Sequence, residues 1–374
     1  LAAHVIAELV SVHGWSIGVT AQSHAVVEHV LDAIVLEGGL DPDLVGKAPP
    51  SDRDAGYYDA SPFTGLRGAN PQAAFAAQRA SRGYVIGGTA WDFANRRRVG
   101  VGQLDLLVVE EAGQFSLANT IAASLAASRI LLLGDPQQLP QVSQGVHPAP
   151  VDGSALGHLI GEHAVLPAEY GYFLEESRRM DAAVAEPVSR LAYDGQLRAH
   201  PSTRGRVLAG VDAGLQPVPL RHHGNATSSS EEAEAVVALV RDHLGLAWTG
   251  SPGGASRPIG QGDLIVVTPY NAQVELVREH LDAAGLGGVE VGPVDRFQGR
   301  EAVIAIVSLA ASSAAEVPRG LDFLLSRNRL NVSVSRAKWA AYLIHSPALM
   351  DALPIREDEL ATLSRFITLV DPGP

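Results

Sequence analysis

The stretch that decides the fold spans residues 106–111 and reads Leu-Leu-Val-Val-Glu-Glu. An unbroken run of Val and Leu is typical of a strand in a parallel sheet, because helices cover both of its faces. In open sheets of this kind, ligands bind beyond the carboxyl ends of the strands. The pattern therefore predicts a buried strand that presents Glu110 and Glu111 at a ligand-binding edge.

The same unit, a short apolar run followed by a helical stretch, recurs along the chain. Alternation of strands and helices predicts an α/β fold with mainly parallel sheets. The predicted strands, each ending in a polar residue, are Ile17–Thr20, Tyr84–Thr89, Leu104–Glu110, Ile130–Asp135, Leu264–Thr268, Val303–Ser308 and Ala341–Ser346. The predicted helices are Ala25–Leu36, Glu231–Leu244, Ala272–Ala284 and Phe323–Lys338. Polar residues are common at any strand end, but seven such ends together favour a functional edge.

Length and composition predict two globular domains. A chain of 374 residues fits two domains of roughly 100–200 residues each. A boundary at residue 168 gives domains 1–168 and 169–374. A stretch rich in Gly, Pro, Ala and Asp at about 38–82 predicts an insertion with a helix at Pro71–Ala80. Two further stretches rich in Pro, Gly and Ser are predicted to be loops: 199–230 and 248–262.

The composition excludes several kinds of site. The chain has no cysteine, which excludes disulfides, thiol catalysis and cysteine-type zinc sites. Its net charge of −13 argues against a general polyanion-binding surface but is compatible with a local basic groove. The apolar runs are far shorter than the about 20 residues of a membrane-spanning helix, so we expect no membrane segment. The first residues have no basic region typical of an export signal, so we expect a cytoplasmic protein.

Glu110 and Glu111 form a pattern typical of nucleotide hydrolases. Such enzymes need one carboxylate to hold Mg²⁺, usually through water, and a neighbour that orients or deprotonates the attacking water. Adjacent residues at a strand end can divide these two roles. The alternative is two solvated glutamates that simply end a strand.

The next predicted strand leads into residues 133–138, Leu-Gly-Asp-Pro-Gln-Gln. The glycine allows a sharp turn at the edge of the sheet. A glutamine there can contact a γ-phosphate or a water without adding charge, and can thus report whether the phosphate is present. The alternative is a plain Pro-Gln turn, although glutamine is not a favoured turn residue.

These two stretches resemble motifs II and III of superfamily 1B helicases, the subgroup that includes the nonsense-mediated-decay helicase. Segments that resemble the family's other motifs follow in the expected order: 19–24 (motif Ia), 87–90 (motif Ic), 176–180, 267–273, 294–301 (motif V) and 328–338 (motif VI). The resemblance extends from residue 1 to about residue 350. It implies two RecA-like domains and ATP-driven movement on single-stranded nucleic acid, with ATP bound between the domains. Motifs Ia and II also resemble bacterial proteins with a RecB-like nuclease domain upstream in the same chain.

The resemblance implies a role for particular residues. The catalytic residues would be Glu110, Glu111, Gln138, Arg179 and Arg336, with Glu110 also holding Mg²⁺ through water. ATP would be bound by Arg178, Gly299 and Glu301. The strand would be contacted by Thr20, Gln22, Ser23, Thr89, Thr268 and Asn271. On the predicted helix 323–338, the residues Arg329, Ser333 and Arg336 would share one face, from which Arg336 would act as an arginine finger.

The chain departs from the family pattern at three places. No Gly-x-x-x-x-Gly-Lys-Ser/Thr loop occurs in it, and neither of its two lysines, Lys47 and Lys338, lies in such a loop. We expect this loop and the first strand upstream of Leu1, so that this fragment does not hydrolyse ATP and exposes apolar surface beside the strands ending at Glu110 and Asp135. Glu110 replaces the usual aspartate, and Arg178 replaces an aromatic that stacks on adenine. The alternative is a nucleic-acid-binding module without ATP turnover.

Further contacts with nucleic acid are less specific. Residues 96–98, Arg-Arg-Arg, and His24 could add positive charge, although a charge run is more often a solvated face. Trp91 and Phe297 could stack on bases, although core packing is favoured for each. DNA is favoured over RNA and movement is expected in the 5′-to-3′ direction, but both expectations come from the resemblance alone, because no residue visibly tests the 2′-hydroxyl.

Overall fold

The computed structural model describes residues 1–53, 56–79, 81–141, 147–151, 153–297 and 299–371. It divides into two compact units: Leu1–Pro136 with Pro140–Glu162, and Gln137–Leu139 with His163–Pro374. The division falls after Glu162, slightly before the predicted boundary at residue 168. It also assigns residues 137–139, which include Gln138, to the second unit. The predicted α/β fold is confirmed, since the largest sheet of each unit is parallel throughout.

The described residues of the first unit form six α-helices, six strands and a short 3-10 helix at Pro42–Leu44. In chain order the α-helices and strands are α1 (Ala2–Ser11), β1 (Ser16–Thr20), α2 (His24–Leu36), β2 (Val45–Lys47), β3 (Thr64–Gly65), α3 (Pro71–Gln78), β4 (Tyr84–Gly88), α4 (Ala90–Ala94), β5 (Leu106–Val109), α5 (Leu117–Ser124), β6 (Ile130–Leu132) and α6 (Ala155–Ile160). The strands form one sheet in the order β3-β2-β4-β1-β5-β6. The central strands β1, β4 and β5 are almost completely buried, as expected for continuous apolar runs in a parallel sheet.

One edge of this sheet is unusually apolar. Strand β6 pairs with β5 and ends the sheet. Its sequence, Ile-Leu-Leu, is typical of an interior strand, yet Ile130 is 42% exposed and the two leucines are only half-buried. The apolar surface expected beside this strand is therefore present.

The second unit has a five-stranded parallel sheet of its own, in the order β10-β16-β15-β13-β14. Its elements are β7 (Glu176–Ser177), α7 (Ala182–Ala192), β8 (Arg198–Ala199), β9 (Val207–Leu208), β10 (Gly214–Pro219), α8 (Ser230–His243), β11 (Ala247–Thr249), β12 (Arg257–Pro258), β13 (Leu264–Thr268), α9 (Asn271–Ala283), β14 (Glu290–Pro293), β15 (Ala302–Ser308), α10 (Leu321–Leu324), α11 (Arg327–Val334), β16 (Ala337–His345) and α12 (Glu357–Val370). Two small sheets, β12-β11-β9 and β7-β8, complete the unit.

Helices cover both faces of the five-stranded sheet. Alternate residues of a strand point to opposite faces, so Leu264 and Val266 of β13 pack in the cluster formed with α8 and α9. Ile265 and Val267 face the other way, into the cluster that contains residues of α7, α11 and α12. This two-sided burial explains why β13 has no polar residue before its last position.

Several predicted elements are wrong. The helix predicted over 323–338 is two short helices, α10 and α11, and its last two residues begin strand β16. Arg336 therefore lies just beyond α11 and does not share a helix face with Arg329 and Ser333. The stretch at about 38–82 is not a simple insertion, because β2 and β3 are strands of the main sheet. The predicted loop at 199–230 contains the strands β9 and β10, and the predicted loop at 248–262 contains the strand β12.

Candidate active site

The carboxyl ends of the central strands of the first unit lie side by side. Thr20 of β1 is in register with Gly88 of β4 and with Val109 of β5. The Glu110 amide donates to the Thr20 carbonyl oxygen at 2.8 Å. The ends of β4, β1 and β5 therefore lie together at the edge predicted from the sequence, with Thr20 on the middle strand and Glu110 beside it.

Two glycines let the turns after β5 and β6 pack backbone against backbone. The Ala112 amide donates to the Leu133 carbonyl oxygen at 2.8 Å. A Cβ at Gly113 would lie 2.5 Å from the Asp135 carbonyl oxygen, and one at Gly134 would lie 2.7 Å from the Ala112 nitrogen. Glu111 adopts a left-handed backbone conformation with φ +54°, which is uncommon for a residue with a side chain. The fold therefore fixes both turns closely.

The Glu110 carboxylate has a raised pKa and one oxygen without a described partner. Among the residues that the structure describes, its buried Oε2 has no hydrogen-bond partner. Burial and then the negative charge of Glu111 raise the pKa of Glu110 to about 7, against a smaller opposing effect of the Leu1 amino group. A buried charge is strongly unfavourable unless it is paired. A cation bound at this carboxylate would supply the partner that no described residue gives to Oε2.

The residues at this edge fit Mg²⁺. This ion prefers oxygen ligands and is commonly held by one or two carboxylates, several waters and substrate phosphates. Within the described ranges, no group of three or more His, Asp and Glu residues could hold a metal by itself. One buried, unpaired carboxylate is thus the kind of partial site that a nucleotide-bound Mg²⁺ completes.

In the second unit, three predicted segments meet at Glu301. The Glu301 carboxylate pairs with Lys338 Nζ at 2.7 Å and with Arg179 Nε at 3.3 Å. Burial raises the pKa of Glu301, but the hydrogen bond and charge of Lys338, together with Arg179, outweigh it and hold the pKa below its ordinary value. Lys338 was not predicted as a site residue, although it lies at the end of the segment that resembles motif VI.

Arg336 and Gln138 are also close together in this unit. The buried Arg336 guanidinium donates to the Val332 and Arg300 carbonyl oxygens at 3.2 and 3.3 Å, and its Nη2 lies 3.4 Å from Gln138 Oε1. Asn328 Nδ2 donates to the Gln138 carbonyl oxygen. The structure therefore brings Gln138 and Arg336, both predicted to be catalytic, into contact.

The other predicted nucleotide-binding residues lie on the surface of the second unit. Arg178 is exposed, and its carbonyl oxygen accepts a bond from Arg206. Gly299 is also exposed and has φ +77°, a conformation that favours glycine. Its neighbour Gln298, part of the segment that resembles motif V, lies outside the described residues.

The predicted strand-binding residues of the first unit differ in accessibility. Gln22 and Ser23 are exposed, and Ser23 Oγ caps α2 by accepting the Val26 amide at 3.3 Å. Thr89 is partly exposed and donates from its hydroxyl to Asp92 at 2.9 Å. Thr20 is completely buried, so in this conformation its side chain cannot reach a bound strand.

The predicted strand-binding residues of the second unit also differ in accessibility. Asn271, the first residue of α9, is exposed, whereas Thr268 is completely buried. Below them lies a buried network that was not predicted. Gln273 Nε2 donates to Ser308 Oγ at 3.0 Å, and Ser308 Oγ donates to Glu232 Oε2 at 2.6 Å. The network ties the start of α9 to the end of β15.

The first unit contains a second unpredicted polar cluster, around the buried Lys47 at the end of β2. Lys47 Nζ lies 2.5 Å from Tyr58 Oη, 2.8 Å from His24 Nδ1 and 3.3 Å from Glu28 Oε1. Burial lowers the pKa of Lys47 despite the opposing charge of Glu28. The cluster fixes the first turn of α2, which directly follows the exposed pair Gln22 and Ser23.

Comparison with known proteins finds a family model and several relatives that match much of the chain. The family model described as an AAA domain matches residues 152–347, more than half of the chain. DNA-binding protein SMUBP-2 of Mesocricetus auratus is 31% identical over 252 residues, which cover 63% of this chain and 24% of that protein. The ATP-dependent helicase upf1 of Schizosaccharomyces pombe is 27% identical over 266 residues, which cover 69% of this chain and 28% of that protein. The chain belongs to the superfamily 1 helicases of the Upf1-like type.

This Upf1-like chain spans about a quarter of the length of the curated relatives it matches. Among solved structures, Arterivirus nonstructural protein 10 (helicase) aligns over 96% of this chain and 58% of that chain, at 16% identity and a TM-score of 0.46. In the described residues, no helix of the Upf1-like chain is both long and apolar enough to cross a membrane.

Proposed function

We propose that this chain is most of the motor of an ATP-dependent helicase or translocase that acts on single-stranded nucleic acid. The observation that carries the proposal is Glu110, a half-buried residue at a strand end. Its buried Oε2 has no hydrogen-bond partner in the described part of the chain, and its pKa is raised to about 7. A carboxylate in this state is suited to a bound cation, and pKa values perturbed by burial cluster at functional sites.

Each predicted catalytic residue has a part in this proposal. Glu110 would hold Mg²⁺ through water, and Glu111 would orient the attacking water. Mg²⁺, when bound, neutralises charge that develops on the transferred phosphate. In the second unit, Arg179 and Arg336 would stabilise the same charge, because a guanidinium is a rigid and permanent cation.

Four further residues of the second unit would complete the nucleotide site. Gln138 would respond to the γ-phosphate, and its contact with Arg336 links that response to the arginine finger. Glu301 would contact the ribose, and Gly299 would allow the backbone to approach the nucleotide. Arg178 would stack its planar guanidinium on the base in place of an aromatic ring.

We further propose that the complete protein has a phosphate-binding loop and its strand upstream of Leu1. The 374 residues contain no Gly-x-x-x-x-Gly-Lys-Ser/Thr loop, and the apolar edge of β6 is suited to one more strand. An exposed edge with apolar side chains is a liability that proteins normally cover. This chain alone would then have no useful ATP turnover.

The proposed substrate is a DNA single strand that is followed in the 5′-to-3′ direction. The similarity to SMUBP-2, a DNA-binding protein, supports DNA, and the direction rests on the motif resemblance. The strand would contact the exposed Gln22, Ser23 and Asn271 and the partly exposed Thr89. A RecB-like nuclease domain upstream in the complete protein is proposed on motif resemblance alone.

The second candidate function is a binding module that holds single strands without turnover. Two observations favour it. The chain has no Gly-x-x-x-x-Gly-Lys-Ser/Thr loop, and Glu110 stands where the family has aspartate. ATP turnover should be measured with and without a dT oligonucleotide, on this chain and on one extended upstream of Leu1. Turnover only in the extended chain, stimulated by the oligonucleotide, supports the motor. An extended chain that binds the oligonucleotide but never hydrolyses ATP supports the binding module.

A further inference from the structure

Trp91 is exposed in a way that the other tryptophans are not. It is 81% exposed, whereas Trp248 is buried and packs against the half-buried Trp339 with ring centroids 6.0 Å apart. Trp15 lies under the Arg129 guanidinium. In the described part of the chain, Trp91 has no ring, cation–π or hydrogen-bond contact. The expectation that Trp91 packs in the core is therefore wrong. The same expectation for Phe297 is confirmed, because Phe297 is fully buried.

Helix geometry explains why Trp91 faces outward. Residues 91 and 93 lie on opposite sides of α4, because successive residues of a helix are about 100° apart. Phe93 takes the inner position and packs against Gly18, where an added Cβ would lie 2.7 Å from the ring. Trp91 is left on the solvent side as a large apolar surface. An exposed aromatic of this size often marks a binding site.

The turn that carries Trp91 is rigid. The Asp92 carboxylate accepts the Thr89 amide at 2.8 Å, the Thr89 hydroxyl at 2.9 Å and Gln72 Nε2 at 3.1 Å. Arg98 also pairs with it. These bonds hold α4 directly beyond the carboxyl end of β4, so the backbone position from which Trp91 projects is fixed.

The surroundings of Trp91 favour an anionic ligand. The exposed Arg96 and Arg97 follow it closely in the chain, and neither belongs to any ion pair of the described residues. Asp92 is the single acidic residue between positions 60 and 104, and it is buried and already pairs with Arg98. Although the chain has a net charge of −13, the segment that follows its most exposed indole carries two arginines that belong to no ion pair of the described residues.

We infer that Trp91 is a stacking platform for one unpaired base of the bound strand, with Arg96 and Arg97 on the adjacent phosphates. This inference rests on the proposed function and adds a specific contact to it. An indole next to guanidinium groups matches a nucleotide, whose base is flat and apolar and whose phosphate is anionic. Stacking tolerates any sequence, because every base has a π-face, and this suits a motor that must move along any strand.

The test measures binding of a fluorescein-labelled dT15 and of an abasic oligonucleotide of the same length, without nucleotide. Trp91→Ala should weaken binding of dT15 about tenfold, which corresponds to about 1.4 kcal/mol, and should leave abasic binding unchanged. Trp91→Phe should retain most of the affinity, since it keeps a ring. Tyr172→Ala removes an even more exposed aromatic ring in the second unit and should change neither affinity. Thermal unfolding of Trp91→Ala should match that of the wild type.

Each outcome bears on a different claim. Equal dT15 binding by wild type and Trp91→Ala overturns the stacking role and leaves the proposed function standing; the indole would then serve a protein partner or nothing. An equal loss on the abasic strand also overturns it, because the effect would not come from a base. A wild-type protein that does not bind dT15 at all removes the proposed function itself. Quenching of Trp91 fluorescence by dT15, absent in Trp91→Ala, would support direct contact.

Discussion

Two glutamates near strand ends, one in each unit, differ in whether the fold supplies hydrogen-bond partners to their carboxylates. Glu110 follows β5 in the first unit, and its Oε2 is buried without a hydrogen-bond partner among the described residues. Glu232 is completely buried in the second unit, beside the end of β15. Its Oε2 accepts bonds from Ser308 Oγ at 2.6 Å and from the Ala310 amide at 2.9 Å, and its Oε1 lies 3.1 Å from His222 Nε2.

The difference teaches that burial alone does not mark a site. Buried polar groups in folded proteins are nearly always hydrogen-bonded, and Glu232 follows that rule completely. Glu110 breaks it at the edge where ligands of parallel sheets bind. The second unit supplies hydrogen-bond partners to both oxygens of the Glu232 carboxylate, whereas no described residue supplies one to Glu110 Oε2.

The largest expected effect is on Glu232. We expect Glu232→Gln to destabilise the second unit by about 3–5 kcal/mol, because an amide group replaces an oxygen that accepts two bonds and leaves buried groups unpaired. Urea denaturation measures this loss. Glu234→Gln, at an exposed position of the same helix α8, is the matched control and should change the free energy of unfolding by less than about 0.5 kcal/mol.

A smaller and opposite effect is expected at Glu110. The pKa of Glu110 is about 7 in the folded state, above its ordinary value of 4.5, so the folded state holds a proton that the unfolded state has released. Stability contributed by this group is complete below about pH 4.5 and is lost as the pH rises through 7. Glu110→Gln mimics the protonated form. It should therefore stabilise the protein by about 1–3 kcal/mol at pH 8 and have little effect at pH 4.5.

The measurement is denaturant unfolding of the wild type and Glu110→Gln at several pH values. Glu8→Gln, an exposed substitution on α1, controls for the loss of one negative charge. A Glu110→Gln protein that is less stable than the wild type at pH 8 would mean that the carboxylate is already satisfied. The contrast with Glu232 would then disappear.

Much of the first unit's edge could be predicted from the sequence. Continuous apolar runs determined strands such as β5 and β13, and the polar residue after each run located the edge with Glu110. These signals are local, since a strand buried on both faces needs apolar side chains at every position. The motif order predicted the family, which the comparisons confirm, and roles for Arg179 and Arg336, which stay predictions.

The remaining features depend on contacts between distant residues. Ala337 and Lys338 read as the end of a helix, but pairing of β16 with both β10 and β15 overrides that local preference. Glu232 and Ser308 are 76 positions apart, and no sequence pattern joins them. Trp91 and Phe93 are both plausible core residues, and only the packing against Gly18 decides which one faces inward.

The most direct test of the central claim is ATP turnover by the extended chain with Glu110→Gln, at saturating Mg²⁺ and dT oligonucleotide. Holding Mg²⁺ is worth several kcal/mol of transition-state stabilisation, so we expect turnover to fall at least about 100-fold while the protein stays folded. Glu8→Gln should turn over ATP at the wild-type rate. A Glu110→Gln protein that hydrolyses ATP normally would contradict the account, because the unpaired carboxylate would then have no part in catalysis.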